Sequence, residues 1–424
     1  MVRFLLAASS LALVPMAQGA NIFPSSPLIQ LGNDTDIFFD SSVALEINDN
    51  LYSTAHPVSA TSWTVTPGLS LEYGKDSAFA VNLTTKRGFV SYNKASLADL
   101  QDNRDSINGS VRVDDGGPLS LTLESSYKIT ARNDDLAQQG VDGSILGANI
   151  LRQSNYTHSF EAIYKLTEKI KVTLGYTNTY NHYLNPTKSK DLNNTNLSYN
   201  TNGLTELNTK TVPIEFSYQA FEKLSFGLKY QRDTSDYSAA PYYYEDLSTH
   251  VVTTVRNTPY PRQLVKNFYG LTAKGDPTGA GLLNVTAKVG YATSRLDDAA
   301  ATSNPSFSVN LQHTLSDKLN HSLTLSRDVT ASSTGGTTSS KSYTYTVNFT
   351  AAEDLSFNVS ATKSDVLAGT TTVNTMVYNF GADYKYNPHL SFNLGYNFTD
   401  SKLPSAPSGN FQANVLTMSA AFRY

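Results

Sequence analysis

The side chains best equipped for catalysis or metal binding in this 424-residue chain are seven histidines and a dispersed set of carboxylates. Cysteine is absent, which excludes disulfides, thiolate metal sites and cysteine nucleophiles. His56, His158, His182, His250, His313, His321 and His389 are scattered without metal-ligand spacing. There is no Gly-x-Ser-x-Gly elbow, no phosphate-cradling loop and no paired-carboxylate motif. A Ser, His and Asp set embedded in a strand wall would suit this composition, yet no motif marks one. The sequence therefore predicts a non-enzyme with no cofactor and no metal. A net charge of -4 gives no electrostatic basis for nucleic-acid binding.

The charged residues become informative once the elements that carry them are found. Asn387-Pro388 opens a turn, and large apolar residues then occupy every second position: Leu390, Phe392, Leu394, Tyr396 and Phe398. Ser391, Asn393, Gly395, Asn397 and Thr399 alternate with them, which is the period of an extended strand with one greasy and one wet face. The phrase returns at Glu168–Tyr176, Glu222–Tyr230 and Glu353–Ala361, and Asp317-Lys318 leads into Leu319, His321, Leu323 and Leu325. Tight polar turns feeding alternating strands predict an antiparallel meander of hairpins.

A soluble sandwich would point its greasy face inward. Here the wet face is small and mostly uncharged, while the greasy face is rich in Tyr and Phe, of which the chain has 26 and 19. Leu390 to Phe398 spans about 27 Å of strand, or about 20 Å when tilted by ~40°, close to the apolar height of an outer-membrane barrel. Tyr176, Tyr230, Tyr396 and Phe398 at the strand ends match interface depth. Mean hydropathy is -0.30, and past the N-terminus no apolar run is long enough for a membrane helix. The expected fold is all-β: a transmembrane antiparallel up-and-down barrel of about 16–18 strands, with short periplasmic turns and long external loops.

Residues 1–19 read as a signal peptide, with Arg3, an apolar Phe4–Val14 and the small-x-small Ala17-Gln18-Gly19. Residues 20–36 form a periplasmic lead-in and 37–424 the barrel. The longest loop, Asp236–Arg262, carries Tyr242, Tyr243 and Tyr244, whose rings suit either stacking on sugars or packing within the loop itself. On the phase of the repeats, Lys86, Glu124, Lys128, Glu161, Lys165, Lys171, Lys229, Lys288, Asp383, Lys385 and Arg423 point into the lumen. These charges would tune ion selectivity or bind an anionic solute, or else solvate and brace a wide wall. Lys171 falls near the periplasmic rim and Lys229 deeper, so they make no single ring. His313 and His321 fall on outward positions near short turns, at interface depth. At the C-terminus, Leu416, Met418, Ala420, Phe422 and Tyr424 alternate up to an aromatic last residue, like the signal by which barrel assembly machinery recognises its clients.

Val43–Tyr52, with Asp49-Asn50 closing a strand, followed by Val65–Tyr73 with Pro67-Gly68-Leu69, resembles the type 2 family of β-barrel porins. The resemblance implies a porin-like barrel, in some members linked to polysaccharide secretion, and carries no catalytic residues. The expected partners are outer-membrane lipid, the assembly machinery, and small sugars or polysaccharide. The expected activity is passive passage of small hydrophilic solutes. The alternatives are an exopolysaccharide outlet and a structural or adhesive surface barrel with a plugged pore.

Overall fold

The computed structural model describes residues 26–51, 57–75, 77–94, 103–130, 152–185, 188–190, 197–199, 205–239, 242–246, 251–255, 262–297, 299–331, 337–368, 371–404 and 407–424. The predicted signal peptide, residues 1–19, lies outside them. A short β1 (Ile29–Leu31) precedes β2 (Thr35–Asn48), β3 (Ala60–Tyr73), β4 (Phe79–Tyr92), β5 (Asn103–Asp114), β6 (Leu119–Thr130), β7 (Arg152–Lys165) and β8 (Ile170–Asn185). Next come β9 (Lys188–Lys190), β10 (Leu197–Tyr199), β11 (Thr205–Phe221), β12 (Leu224–Ala239), β13 (Tyr242–Asp246), β14 (Val251–Val255), β15 (Arg262–Gly275) and β16 (Leu283–Leu296). The chain ends with β17 (Thr302–Ser316), β18 (Leu319–Ala331), β19 (Thr337–Ala352), β20 (Leu355–Ala368), β21 (Thr371–Lys385), β22 (Leu390–Lys402) and β23 (Phe411–Arg423).

Eighteen of these strands form one closed antiparallel barrel, each paired with its sequence neighbour in the wall. β2 and β23 close it, in register from Asp40↔Arg423 to Asn48↔Val415. β1 folds back on β2 through Gly32, whose φ of 69° suits glycine. The remaining four strands make a separate sheet in the order β14-β13-β10-β9, drawn from the β8–β11 and β12–β15 connections. The segment Asp236–Arg262 is therefore not a plain loop. β12 runs on to Ala239, and Tyr242–Asp246 pairs with both Val251–Val255 and Leu197–Tyr199.

The hairpins are mostly asymmetric, although only residues 369–370 join β20 to β21 on the longer side and residues 276–282 separate β15 from β16 on the shorter. On one side the connections are turns such as Glu222-Lys223, Asp317-Lys318 and Glu353-Asp354. On the other lie the long connections. Gly74, at φ 64°, turns β3 into β4; a Cβ there would stand 2.1 Å from the Phe79 carbonyl oxygen. Strands extend further on the long-loop side than alternation alone predicts: β19 starts at Thr337 rather than Tyr343, and β17 at Thr302 rather than Ser306. Beyond the greasy belt both faces are polar, so the period of two fades while the ladder continues.

Which face is concave follows from contacts that skip a strand. Lys266 of β15 reaches Asp328 of β18 at 2.7 Å, passing over β16 and β17. Glu215 of β11 accepts from the Thr272 hydroxyl of β15 at 2.8 Å, passing over β12. Arg423 of β23 reaches Glu72 of β3 over β2. Chords shorten only on the inside of a curved sheet, so this polar face is the lumen. The opposite face carries Leu69, Leu83, Leu123, Leu174, Leu228, Leu271, Val289 and Val359, all large and exposed.

Candidate functional site: the lumen and its rims

The outer face is a belt bounded by aromatic rings. Toward the short turns lie Tyr73, Phe79, Tyr164, Tyr218, Phe226, Tyr384, Phe392, Phe422 and Tyr424. Toward the long loops lie Trp63, Phe89, Tyr156, Tyr269, Tyr291, Tyr343 and Tyr378. Several meet across neighbouring strands, as Tyr127 and Tyr156 do at 4.7 Å and Tyr230 and Tyr269 at 5.1 Å. A closed wall leaves no unpaired strand edge, and an apolar band between two aromatic girdles fits a bilayer and not water. This chain is an integral outer-membrane barrel. No helix among the described residues is long and apolar enough to cross a membrane.

The inner face carries charges, hydroxyls and amides, and most of the charges are engaged. Lys229 Nζ is 3.9 Å from Glu215, its direct ladder partner. Lys266, only 5% exposed, sits between Asp233 at 3.4 Å and Asp328 at 2.7 Å, and Ser306 donates to the same Asp328 carboxylate. Lys288 stands 4.1 Å above the ring of Phe268, which is wholly buried. Gly270 leaves that ring room, since a Cβ there would be 2.3 Å from it; opposite, a Cβ on Gly290 would be 2.1 Å from the Tyr269 carbonyl oxygen.

A second wall, over β4 to β7, is mostly uncharged. Asn82, Thr84, Asn108, Glu124, Ser126 and Thr157 line a polar recess there, and Ser159 donates weakly to Glu124 at 3.5 Å. Lys86 and Lys128 both lie opposite Ser106, and Glu161 lies opposite Thr122 and Gly175. Lys165 and Lys171 face each other at the short-turn rim. A third wall is an amide ladder: Asn397 donates to Asn379, Asn379 to Ser360, and Asn393 to Asp383 at 2.7 Å. Lys385 lies on the same inner phase, opposite Ser391.

Arg423 has a distinct place. It bridges Asp40 at 3.8 Å and Glu72, and its guanidinium lies 3.9 Å over the Phe38 ring, tying the closing strands together near the short-turn rim. At the other end of this seam, Asp49 accepts from the backbone and side chain of Asn414, both at 2.6 Å, and the Asn50 amide donates to the Gln412 carbonyl at 2.8 Å. The Asp-Asn pair noted in the sequence is thus a seam clasp. His313 and His321 sit opposite each other on the outer face, their ring nitrogens 3.1 Å apart.

Sequence reasoning passed over Asp40, Glu72, Glu215, Asp233, Lys266 and Asp328. Their phase on the strands was readable, since Asp233 lies four residues from Lys229. Their partners were not, because these arise from curvature. The side chains of Tyr242, Tyr243 and Tyr244 lie outside the described residues.

No family model matches the chain, and no curated relative is found. Similar solved structures include OccAB2 of Acinetobacter baumannii, at 12% identity over 92% of this chain and 98% of that one, with a TM-score of 0.48. OpdO of Pseudomonas aeruginosa shares 10% identity over 92% of this chain and 97% of its own, with a TM-score of 0.47. The FrpB iron transporter of Neisseria meningitidis (F3-3 variant) shares 9% over 88% of this chain, with a TM-score of 0.46. The chain spans 62% of that transporter's length. Likeness at this level carries no statement about solute or partner.

Proposed function

We propose that the barrel is a passive channel for small hydrophilic solutes, saccharides among them, in keeping with the porin-like barrel that the resemblance to type 2 porins implies. The observation that carries this reading is the inner face: eighteen strands enclose a wall of hydroxyls, amides and self-paired charges of both signs. Barrels of sixteen or more strands leave an aqueous interior, whereas eight-stranded ones fill with side chains. Acids and bases neutralise each other along the wall, which suits neutral polar solutes and gives weak ion selectivity. Amide and hydroxyl groups such as Asn379, Asn397, Ser126 and Thr157 supply donors and acceptors of the kind a sugar requires. No catalytic step, cofactor or energy input belongs to this reading.

A second reading, an outlet for a secreted polysaccharide, is favoured by one feature. The β8–β11 and β12–β15 connections fold together into a sheet of their own, as a gate over a wide pore would. Planar-bilayer conductance, combined with swelling of sugar-loaded liposomes, separates the two. A stable open channel admitting monosaccharides supports the porin reading. Silence relieved only by removing residues 240–261 supports a gated outlet. Silence after that removal overturns both and leaves a structural barrel.

A further inference from the structure

Where the belt gives way to the long-loop rim, the outer face of three adjacent strands turns basic. Arg327 of β18 lies directly opposite Lys341 of β19. Lys363 of β20 lies opposite Tyr343, on the same face and two residues from Lys341. This phase is the lipid-facing one, because one step toward the short turns it carries the paired Leu325 and Tyr343, and then Leu323 and Tyr345. Arg327 is eight residues from Leu319, about 26 Å of strand and about 20 Å of height at a ~40° tilt, which places it at the edge of the belt.

Like charges directly opposite on one face destabilise an antiparallel pair. The carboxylate within the patch is Asp365, opposite Lys341 and 3.9 Å from Lys363 Nζ. Among the described residues, neither Arg327 nor Lys341 has a carboxylate at ion-pair distance. The Nε of Arg327 is buried and without a hydrogen-bond partner. Three cations against one carboxylate thus leave an uncompensated positive patch, continuous with an apolar wall. Lys266 inside the barrel, by contrast, is given two carboxylates.

We propose that Arg327, Lys341 and Lys363 bind the phosphate groups of a lipid in the leaflet on the long-loop side. A guanidinium grips phosphate with paired donors, and a lysine adds a point charge whose stem lies along the apolar surface. The lipid's chains would cover Leu325, Tyr343 and Ala361 below the patch. That continuity favours a lipid-borne phosphate over a free one. The bound anion supplies the counter-charge that the Arg327–Lys341 pair lacks.

The test uses the full-length barrel in phosphate-free detergent, with diphosphoryl lipid A as probe, read by native mass spectrometry and by the midpoint of heat-modifiable gel mobility. The wild type should retain the lipid and gain thermal stability from it. The double variant Arg327→Gln/Lys341→Gln should retain at least tenfold less, while Lys318→Gln, in the turn at the other end of β18, should match the wild type. Without lipid, the double variant should melt at or above the wild-type midpoint, because the like-charge opposition is gone. That reversal separates lost binding from lost folding. Equal retention by the double variant would overturn the proposal, as would a lower midpoint without lipid. So would equal binding of dephosphorylated lipid A, or the same stabilisation by millimolar inorganic phosphate.

Discussion

Leu394 and Asn393 are adjacent in β22, and the structure assigns them to opposite solvents. Leu394 is on the outer face, midway between Leu390 and Phe398, opposite Ala382 and Met418 and 39% exposed in the protein alone. Asn393 is on the inner face and donates to Asp383 at 2.7 Å. A lysine at the bilayer midplane of a barrel costs about 2–4 kcal/mol. Leu394→Lys should therefore shift the folding equilibrium in bilayers by about 30- to 700-fold, at 1.4 kcal/mol per factor of ten. Asn393→Lys loses the amide's hydrogen bonds to Asp383 and the Ala382 carbonyl but places an ammonium beside the Asp383 carboxylate in a wet lumen, so it should lie within about 1 kcal/mol of the wild type. Reversible urea unfolding from lipid vesicles measures both. The single Trp63, 53% exposed on the outer face, reports insertion by its fluorescence. Equal costs for the two variants, or a larger one for Asn393→Lys, would refute the assignment of the faces.

Other perturbations reach the seam, the packed wall and the ion path. Arg423→Met leaves Asp40 and Glu72 without their shared cation and should cost about 1–3 kcal/mol, seen as a lower heat-modifiability midpoint. Gly290→Val drives a side chain into the Tyr269 carbonyl and should cost more than about 2 kcal/mol or block refolding, measured by the folded fraction on cold gels. Glu215→Gln keeps the acceptor for Thr272 but frees Lys229, so the bilayer reversal potential should move toward anion preference. Removing Phe422–Tyr424 deletes Arg423 and two outward rings, and surface accumulation in cells should fall sharply; normal accumulation would discount the C-terminal signal.

Much of the fold was legible because alternation is local. A strand's period of two is fixed by backbone geometry, so Leu390 to Phe398 marks one face without knowledge of any neighbour. Tight turns at Glu222, Asp317 and Glu353 then set the hairpins, and the contrast of short with long connections pointed to the barrel. Where the belt ended, the signal ended too, and strands such as β17 and β19 ran several residues past their apparent starts.

The sequence by itself determined which residues share a face, and hence that Lys86, Lys229, Lys288 and Asp383 look one way and Leu228, Val289 and Leu394 the other. It did not determine what each charge meets. Lys266 finds Asp328 across two intervening strands, and Arg423 finds Glu72 across the closing seam, only because the sheet curls into a ring and shortens those chords. The pairing of Tyr242–Asp246 with Leu197–Tyr199 likewise joins two loops far apart in the chain. Closure radius and register are properties of all eighteen strands together, so these contacts are decided by the barrel and are written in no single hairpin.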